Sequence, residues 1–178
     1  MKNVLLGVTG SVAAYKSAEI ANRLTKNGHS THVIMTSAAR KFIAPLTFQS
    51  LTKNKVYTDM FDETTYEDIR HISLAKKADI CVVAPASANI IGKLASGIAD
   101  DMLSTVLTAV SGKPIVICPA MNSAMYMNPI IQRNIQILKN AGYLFVEPKK
   151  ARLACDDVGV GALADTSAII DFVESLLA

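Results

Sequence analysis

The sequence predicts a single-domain α/β fold, a parallel sheet with helices on both faces. Three observations predict it. Short apolar runs rich in Val and Ile recur at Asn3 to Val8, His32 to Met35, Ile80 to Ala84, Ile115 to Cys118 and Leu144 to Val146. Stretches with helical spacing separate them, and that alternation is the sequence form of a parallel sheet covered by helices. The third observation is size: 178 residues, 51% of them apolar and none in a low-complexity run, can bury one core. The expected arrangement is the doubly wound, Rossmann-like (flavodoxin-like) one, with 1–178 as its single domain.

The elements follow in order. After the first strand, Ala14, Ala18 and Ala21 repeat on one helical face, and Asn27-Gly28 closes that helix. Small residues there let helix and sheet approach closely. The stretch 54–68 carries no clear period. Arg70 to Asp79, RHISLAKKAD, reads as a short helix before the Ile80 strand. Asn128 followed by Pro129 reads as an N-cap and first-turn proline, with Ile131, Ile135 and Leu138 on the buried face and Gly142 at the end. The strand at Leu144 to Val146 is expected to stop at Glu147, because Pro148 cannot donate to a ladder. Asp165 or Thr166 caps a final helix whose Ile169, Val173 and Leu176 share a face. There is no internal repeat and no linker.

Composition narrows the function. The net charge of +3 is weak and the basic residues are scattered, which argues against nucleic acid as a partner and leaves room for a small anionic ligand. The start, Met1-Lys2-Asn3 into Val4-Leu5-Leu6-Gly7, is too short an apolar run for a signal peptide, and no later run reaches membrane-span length. A cytoplasmic protein without membrane contact is expected. Three cysteines, Cys81, Cys118 and Cys155, lack paired or metal-like spacing, so free thiols and no metal site are expected. Cys81 and Cys118 fall inside strands and read as inert core residues, whereas Cys155 lies in a polar, Gly-rich loop where a thiol would be accessible.

Ligands of such a sheet bind beyond the carboxyl ends of the strands. The first such place, Gly7 to Ala14 (GVTGSVAA), leads glycines and a hydroxyl into a helix whose free N–H groups can hold a phosphate, although it lacks the full G-x-G-x-x-G spacing and also suits a plain turn. The second, Met35-Thr36-Ser37, offers hydroxyls that taken in isolation read as caps. The third, APASANIIGK at 84–93, places small residues where a flat ring could lie against backbone, with Ser87 and Asn89 at its polar edge; a capped turn is the alternative. The fourth, CPAMNSAMYMNP at 118–129, is explained by capping at Asn128 and Pro129 but not at Asn122, Met121, Met125 or Met127. One amide among soft apolar side chains suits a small substrate with a carboxylate and a sulfur. His71, near the start of a short helix, sits where the dipole disfavours a protonated ring and can accept a proton. His29 and His32 read as surface or capping residues.

Taken in order, GVTGSVAAYK, RHISLAKKAD with His71, PASANIIGKLASGIADD, PAMNSAMYMNP and LACDDVGVGALAD resemble the homo-oligomeric flavin-containing cysteine decarboxylase family over nearly the whole chain. The resemblance implies FMN, with Gly10, Ser11, Val12 and Ser37 near its phosphate or ribityl chain and Ser87, Ala88, Asn89, Ile90 and Ala120 near its ring. It implies a small-molecule substrate bound by Asn122, Met125, Arg152, Leu153 and Ala154, with Asn122 on the carboxylate, His71 as base and Cys155 as proton donor. The implied reaction converts 4'-phosphopantothenoylcysteine to 4'-phosphopantetheine in coenzyme A synthesis, through a thioaldehyde. Residue chemistry suits it: loss of carbon dioxide from an acylated cysteine leaves a carbanion that positioning alone would hardly stabilise, so an electron sink is needed.

Departures and rivals accompany the resemblance. Asp156 stands where the family commonly has glycine after the reactive cysteine, and no synthetase region follows the last helix, so a separate phosphopantothenoylcysteine synthetase is expected. Self-association into trimers, or dodecamers built from them, is implied. The nearest rival is a peptidyl-cysteine decarboxylase of lantibiotic synthesis, against which Lys149, Lys150 and Arg152 could meet a substrate phosphate. A prenyl-transferring flavoprotein ranks third, and a non-catalytic flavin-binding regulatory subunit is the reading from another class.

Overall fold

The computed structural model describes residues 1–61, 70–152 and 158–178, with Arg70 and Arg152 described in their backbone alone. Six strands form one parallel sheet in the order β3-β2-β1-β4-β5-β6. They are β1 (Asn3–Val8), β2 (Ser30–Met35), β3 (Val56–Tyr57), β4 (Ile80–Ala86), β5 (Ile115–Pro119) and β6 (Leu144–Phe145). This is the Rossmann order, and its direction of winding reverses between β1 and β4. Each strand interior points alternately to two faces, and both faces are apolar, as a sheet covered on both sides requires.

Parity along the strands shows this directly. Val4, Leu6 and Val8 of β1, Ile80, Val82 and Ala84 of β4 and Val116 and Cys118 of β5 join one core with α1 (Ala14–Lys26), α2 (Pro45–Thr52) and α8 (Thr166–Leu177). Leu5, Cys81, Val83, Ile115 and Ile117 join the other with α3 (Arg70–Lys77), α4 (Ala88–Ala95), α5 (Met102–Ala109) and α7 (Pro129–Asn140). Each fully buried Leu, Ile or Val there contributes about 1.5–3 kcal/mol of transfer free energy.

Local chemistry sets the helix ends. Asn128 accepts from the Ile130 amide at 2.9 Å ahead of Pro129, and Gly142, just past the end of α7, takes φ +91°. Asp101 and Ser104 form a reciprocal capping box on α5, and Lys93 also bonds the Asp101 carboxylate at 2.6 Å. Burial alone would raise the Asp101 carboxyl, yet the bonds from Lys93 and the Ser104 amide hold it below its usual value.

Some expectations need correcting. Asp165 is the N-cap of α8, but its side chain makes no cap bond and pairs with Lys149 instead. Leu176 is exposed, the buried face of α8 being Ile169, Ile170 and Val173. His32 is no surface residue: it is 9% exposed within β2, because the strand's neighbours β1 and α3 close over it. An antiparallel hairpin, β7 (Lys149–Arg152) with β8 (Val158–Ala162), follows where no strands were expected. Its valines, Val158 and Val160, are exposed and separated by glycine, so they lack the continuous apolar run that marks a buried sheet strand. Among the described residues the remaining helices are the single turn α6 (Ser123–Tyr126) and a 3-10 turn at Ala39–Lys41.

Candidate cofactor and substrate site

One cavity of about 500 Å³ opens beyond the carboxyl ends of β1, β4 and β5, beside the point where the strand order reverses. That size suits a cofactor or small ligand. Its first wall is the β1–α1 turn: Gly10, Ser11, Val12 and Ala13 line it. A Cβ on Gly10 would stand 2.5 Å from the Ala38 Cβ, so only glycine lets this turn rest against the 36–38 turn after β2. Among the described residues no side chain caps α1 from its N-cap position, but its entry is closed by the chain itself: the Ala14 and Lys16 amides donate to the Ser11 and Ala13 carbonyls at 2.9 and 3.0 Å, and the Ala13 amide to Ser11 Oγ at 3.3 Å. Lys16 of the first turn also lines the cavity and is, among the described residues, the one cation that does.

The second wall is the start of α4. Ser87, its N-cap, and Ala88 line the cavity, and the Ser87 hydroxyl accepts weakly from the Ile90 amide at 3.5 Å. The third comes from the end of β5 and from α6, where the Ala120 amide bonds the Ala86 carbonyl at 3.0 Å and Met121, Asn122 and Met125 face the space. Gly161, Ala162 and Leu163 supply the fourth. There the Met121 amide donates to the Gly161 carbonyl at 2.9 Å and Ser123 Oγ to the Val160 carbonyl at 2.8 Å. Gly161 is required by that contact: at φ +146°, its Cβ would lie 2.3 Å from the Met121 carbonyl oxygen.

The cavity thus collects Gly10, Ser11, Val12, Ser87, Ala88, Ala120, Asn122 and Met125 from three separate sequence motifs. Ser37 and Asn89 are exposed outside its lining, and the Ile90 side chain is buried in the α4 core. His71 lies on α3, half-buried, and does not line this cavity. Leu153, Ala154 and Cys155 fall outside the described residues, and Arg152 is placed by its backbone on β7. Asn122 proves to be an N-cap as well, its Oδ1 accepting from the Ala124 amide at 2.8 Å, so capping accounts for it after all.

Tyr15, Lys16 and the Gly161 segment line the cavity without having been singled out from sequence. A signal existed for each. Tyr15 and Lys16 sit off the Ala14-Ala18-Ala21 face in the first turn after the glycines, and Gly159 and Gly161 alternate as on one face of a strand pressed against another chain segment.

The electrostatics mark two thiols as inert. Burial pushes the Cys81 thiol up to about 12 and raises Cys118 further, so neither is a thiolate near neutrality. Tyr126, which follows Met125, donates its hydroxyl to Glu147 at 2.8 Å, and Lys139 holds the other carboxylate oxygen at 2.6 Å. Burial and that carboxylate keep the Tyr126 phenol protonated, up to about 12. Among the described residues no group of three or more His, Cys, Asp or Glu could hold a metal ion.

The donor set fits a flavin mononucleotide. The Ser11 hydroxyl and the Lys16 ammonium at the start of α1 offer a place for its phosphate, and the small residues Ala88, Ala120 and Gly161 leave room for a flat ring.

Comparison with known proteins agrees. The flavoprotein family model matches residues 1–178. A protein of Streptococcus mutans named "probable phosphopantothenoylcysteine decarboxylase" is 49% identical over 177 residues, covering 99% of both chains. The coenzyme A biosynthesis bifunctional protein CoaBC of Bacillus subtilis is 48% identical over 173 residues, and the chain spans only 42% of its length. Among solved structures, a PPC decarboxylase mutant complexed with pantothenoylaminoethenethiol superposes with a TM-score of 0.89 at 32% identity, covering 99% of this chain and 98% of that one. The FMN-dependent cysteine decarboxylase SpaF gives a TM-score of 0.85 at 34% identity, with 100% and 98% covered. Matched by the family model over residues 1–178, the chain belongs to the flavoprotein family, as an enzyme related to the phosphopantothenoylcysteine decarboxylases.

Proposed function

We propose that the chain catalyses the FMN-dependent decarboxylation of 4'-phosphopantothenoylcysteine to 4'-phosphopantetheine in coenzyme A biosynthesis. The observation that carries this reading is the meeting, in one cavity at the strand-order reversal, of a phosphate-type helix start with the Asn122–Met125 wall. The 49% identical relative bears the name of this activity, whereas the cysteine decarboxylase SpaF is 34% identical.

The residues divide by task. Gly10, Ser11, Val12 and the neighbouring Ser37 would hold the phosphate end of FMN. Ser87, Ala88, Asn89, Ile90 and Ala120 would line its ring, Ile90 through its main chain because its side chain is committed to the core. The chemistry supplied by the bound cofactor is reversible storage of an electron pair, withdrawn from the substrate's thiol side and returned after carbon dioxide leaves. In the substrate so oxidised, a thioaldehyde, the C=S would accept the electrons of the breaking carbon–carboxylate bond, and the whole reaction would be redox-neutral. Asn122 would orient the carboxylate, with Met125 against the sulfur. Arg152, Leu153 and Ala154 would contact the rest of the substrate.

His71 would take the proton in the first oxidation and Cys155 would deliver one to the unsaturated product. His71 is outside the lining of its own chain's cavity, so the proposal includes self-association, as trimers or dodecamers, in which a neighbouring copy brings His71 to the site. A synthetase supplying the acylated cysteine is the implied pathway partner, and the setting is the cytoplasm. Among the described residues no helix is long and apolar enough to cross a membrane.

The test is direct. The purified protein should show a flavin absorbance spectrum and release carbon dioxide from 4'-phosphopantothenoylcysteine, and should do so much faster than from a peptide ending in cysteine. Bound FMN without release from either substrate would refute the enzymatic reading, and preference for the peptide would reassign the substrate.

A further inference from the structure

We infer that Thr9 is a positioning residue for the cofactor: its hydroxyl locks the phosphate-side wall of the cavity to the ring-side wall. Thr9 is 1% exposed, and it sits between β1 and the Gly10–Ala13 turn. Its Oγ1 donates to the Pro85 carbonyl at 2.7 Å and accepts from the Ser87 amide at 2.9 Å. One hydroxyl therefore uses both its donor and an acceptor position on a single partner loop, 76 to 78 residues away in sequence. A second bond, from Ser17 Oγ to the Ala84 carbonyl at 2.6 Å, holds the body of α1 to the same strand end. Ser17 acts further down the helix, however, and fixes neither Ser87 nor the turn.

The consequence is geometric. Gly10, Ser11 and Val12 on one side of Thr9 and Ser87 and Ala88 on the other line the cavity, so Thr9 sets the separation of the two groups. The Ser87 residue is half-buried, and without its acceptor the amide gains by turning toward water, which swings the start of α4 away from the turn. A ligand spanning both walls must then pull the loop back against that preference. The cost appears in binding because the free protein relaxes and the loaded protein cannot.

This inference rests on the FMN reading, and the experiment separates the two. Thr9→Val keeps the shape and removes the hydroxyl, whereas Thr9→Ser keeps the hydroxyl and removes a methyl group. Refolded apoprotein of each is titrated with FMN by fluorescence quenching, and thermal unfolding is followed with and without FMN. The expected result is a Kd for FMN raised about 5- to 150-fold in Thr9→Val, the range to which about 1–3 kcal/mol for an unsatisfied buried amide converts. Thr9→Ser should stay within about threefold of the unaltered protein, since the hydroxyl persists. An unchanged Kd in Thr9→Val, with both forms melting lower by the same amount, would mean a purely structural residue and overturn the inference. Failure of the unaltered protein to bind FMN would instead end the cofactor reading. Should Thr9→Val not fold, exchange of the Ser87 amide in the FMN-bound unaltered protein decides: strong protection is expected, and exchange as fast as in an open turn overturns the assignment.

Discussion

Replacing Gly161 by alanine tests whether the hairpin strand β8 is part of the working site. The added Cβ would lie 2.3 Å from the Met121 carbonyl oxygen, which is backbone and cannot rotate aside, and φ is +146° there. Relief requires β8 to withdraw from the 121–123 segment, breaking the Met121 N–H···O=C Gly161 bond and the Ser123 Oγ–H···O=C Val160 bond. At about 0.5–1.5 kcal/mol for each bond, the variant should lose about 1–3 kcal/mol of stability. Gly28→Ala is the control. At φ +91° it carries backbone strain of about 1–2 kcal/mol, but its Cβ meets nothing within 4 Å. Both variants should therefore melt earlier in urea by similar amounts. Only Gly161→Ala should also lower kcat/KM for carbon dioxide release, by about tenfold or more, since 1.4 kcal/mol of misplacement at the Asn122 wall suffices for that. A Gly161→Ala enzyme with unaltered kcat/KM would refute the idea that docking of β8 shapes the site.

Other outcomes follow from the same contacts. Tyr126→Phe should cost about 1–2 kcal/mol, a fall in Tm of several degrees, because the ring stays buried while Glu147 loses its phenol donor. Glu147→Gln, which keeps an acceptor, should cost less; equal losses would contradict the assigned bond. Burial and then the charge of Lys77 hold the His32 ring below its ordinary 6.5, so the unfolded chain takes up a proton that the folded one resists. Stability should thus decline as pH falls from above 6.5 toward the lowered folded value, and the His32→Gln variant should lack that part of the slope in pH-dependent urea melts. Under the proposed mechanism, His71→Asn should bind FMN without flavin bleaching on substrate addition, while Cys155→Ser should release carbon dioxide and accumulate the unsaturated product. Full turnover by either would refute its role.

The sheet was legible because strands buried on both faces must be apolar throughout, and Val4 to Val8, Ile80 to Ala84 and Ile115 to Cys118 obey that rule. Helix ends were legible where one residue does one job, as Asn128 and Gly142 do. The hairpin was not, since KKAR pairs with VGVGA, and VGVGA is held through its Val160 and Gly161 carbonyls by the Ser123 hydroxyl and the Met121 amide, contacts that leave no apolar pattern. His32 misled for the opposite reason: a titratable side chain in a strand reads as exposed, and its burial depends on α3, remote in sequence. At the site, glycines, hydroxyls and small residues pointed to the right strand ends, but which of them share a cavity depends on how the loops lean. Lys16 went unremarked because its place off the alanine face, just after the glycines, is a weak signal that a solvated lysine shares.

The walls of the cavity differ in kind from the groups proposed to move protons. Each wall is joined to the next by a short-range, mostly main-chain contact: Gly10 against Ala38, Thr9 to Pro85 and Ser87, Ala120 to Ala86, Met121 to Gly161. Such contacts hold position without charge and change little with pH or salt, which suits a surface that must present a cofactor in one orientation. A proton carrier has the opposite requirement, since it must meet the reacting carbon at one stage and be absent at another. His71 stands off the lining of this cavity, so its approach is set by something other than the walls. On the proposed mechanism, cofactor affinity is then a property of the sheet edge, whereas turnover also depends on how copies of the chain assemble around it. Dilution that dissociates the assembly should therefore abolish turnover before it releases FMN from the walls; loss of both at the same concentration would place part of the cofactor site on the neighbouring copy.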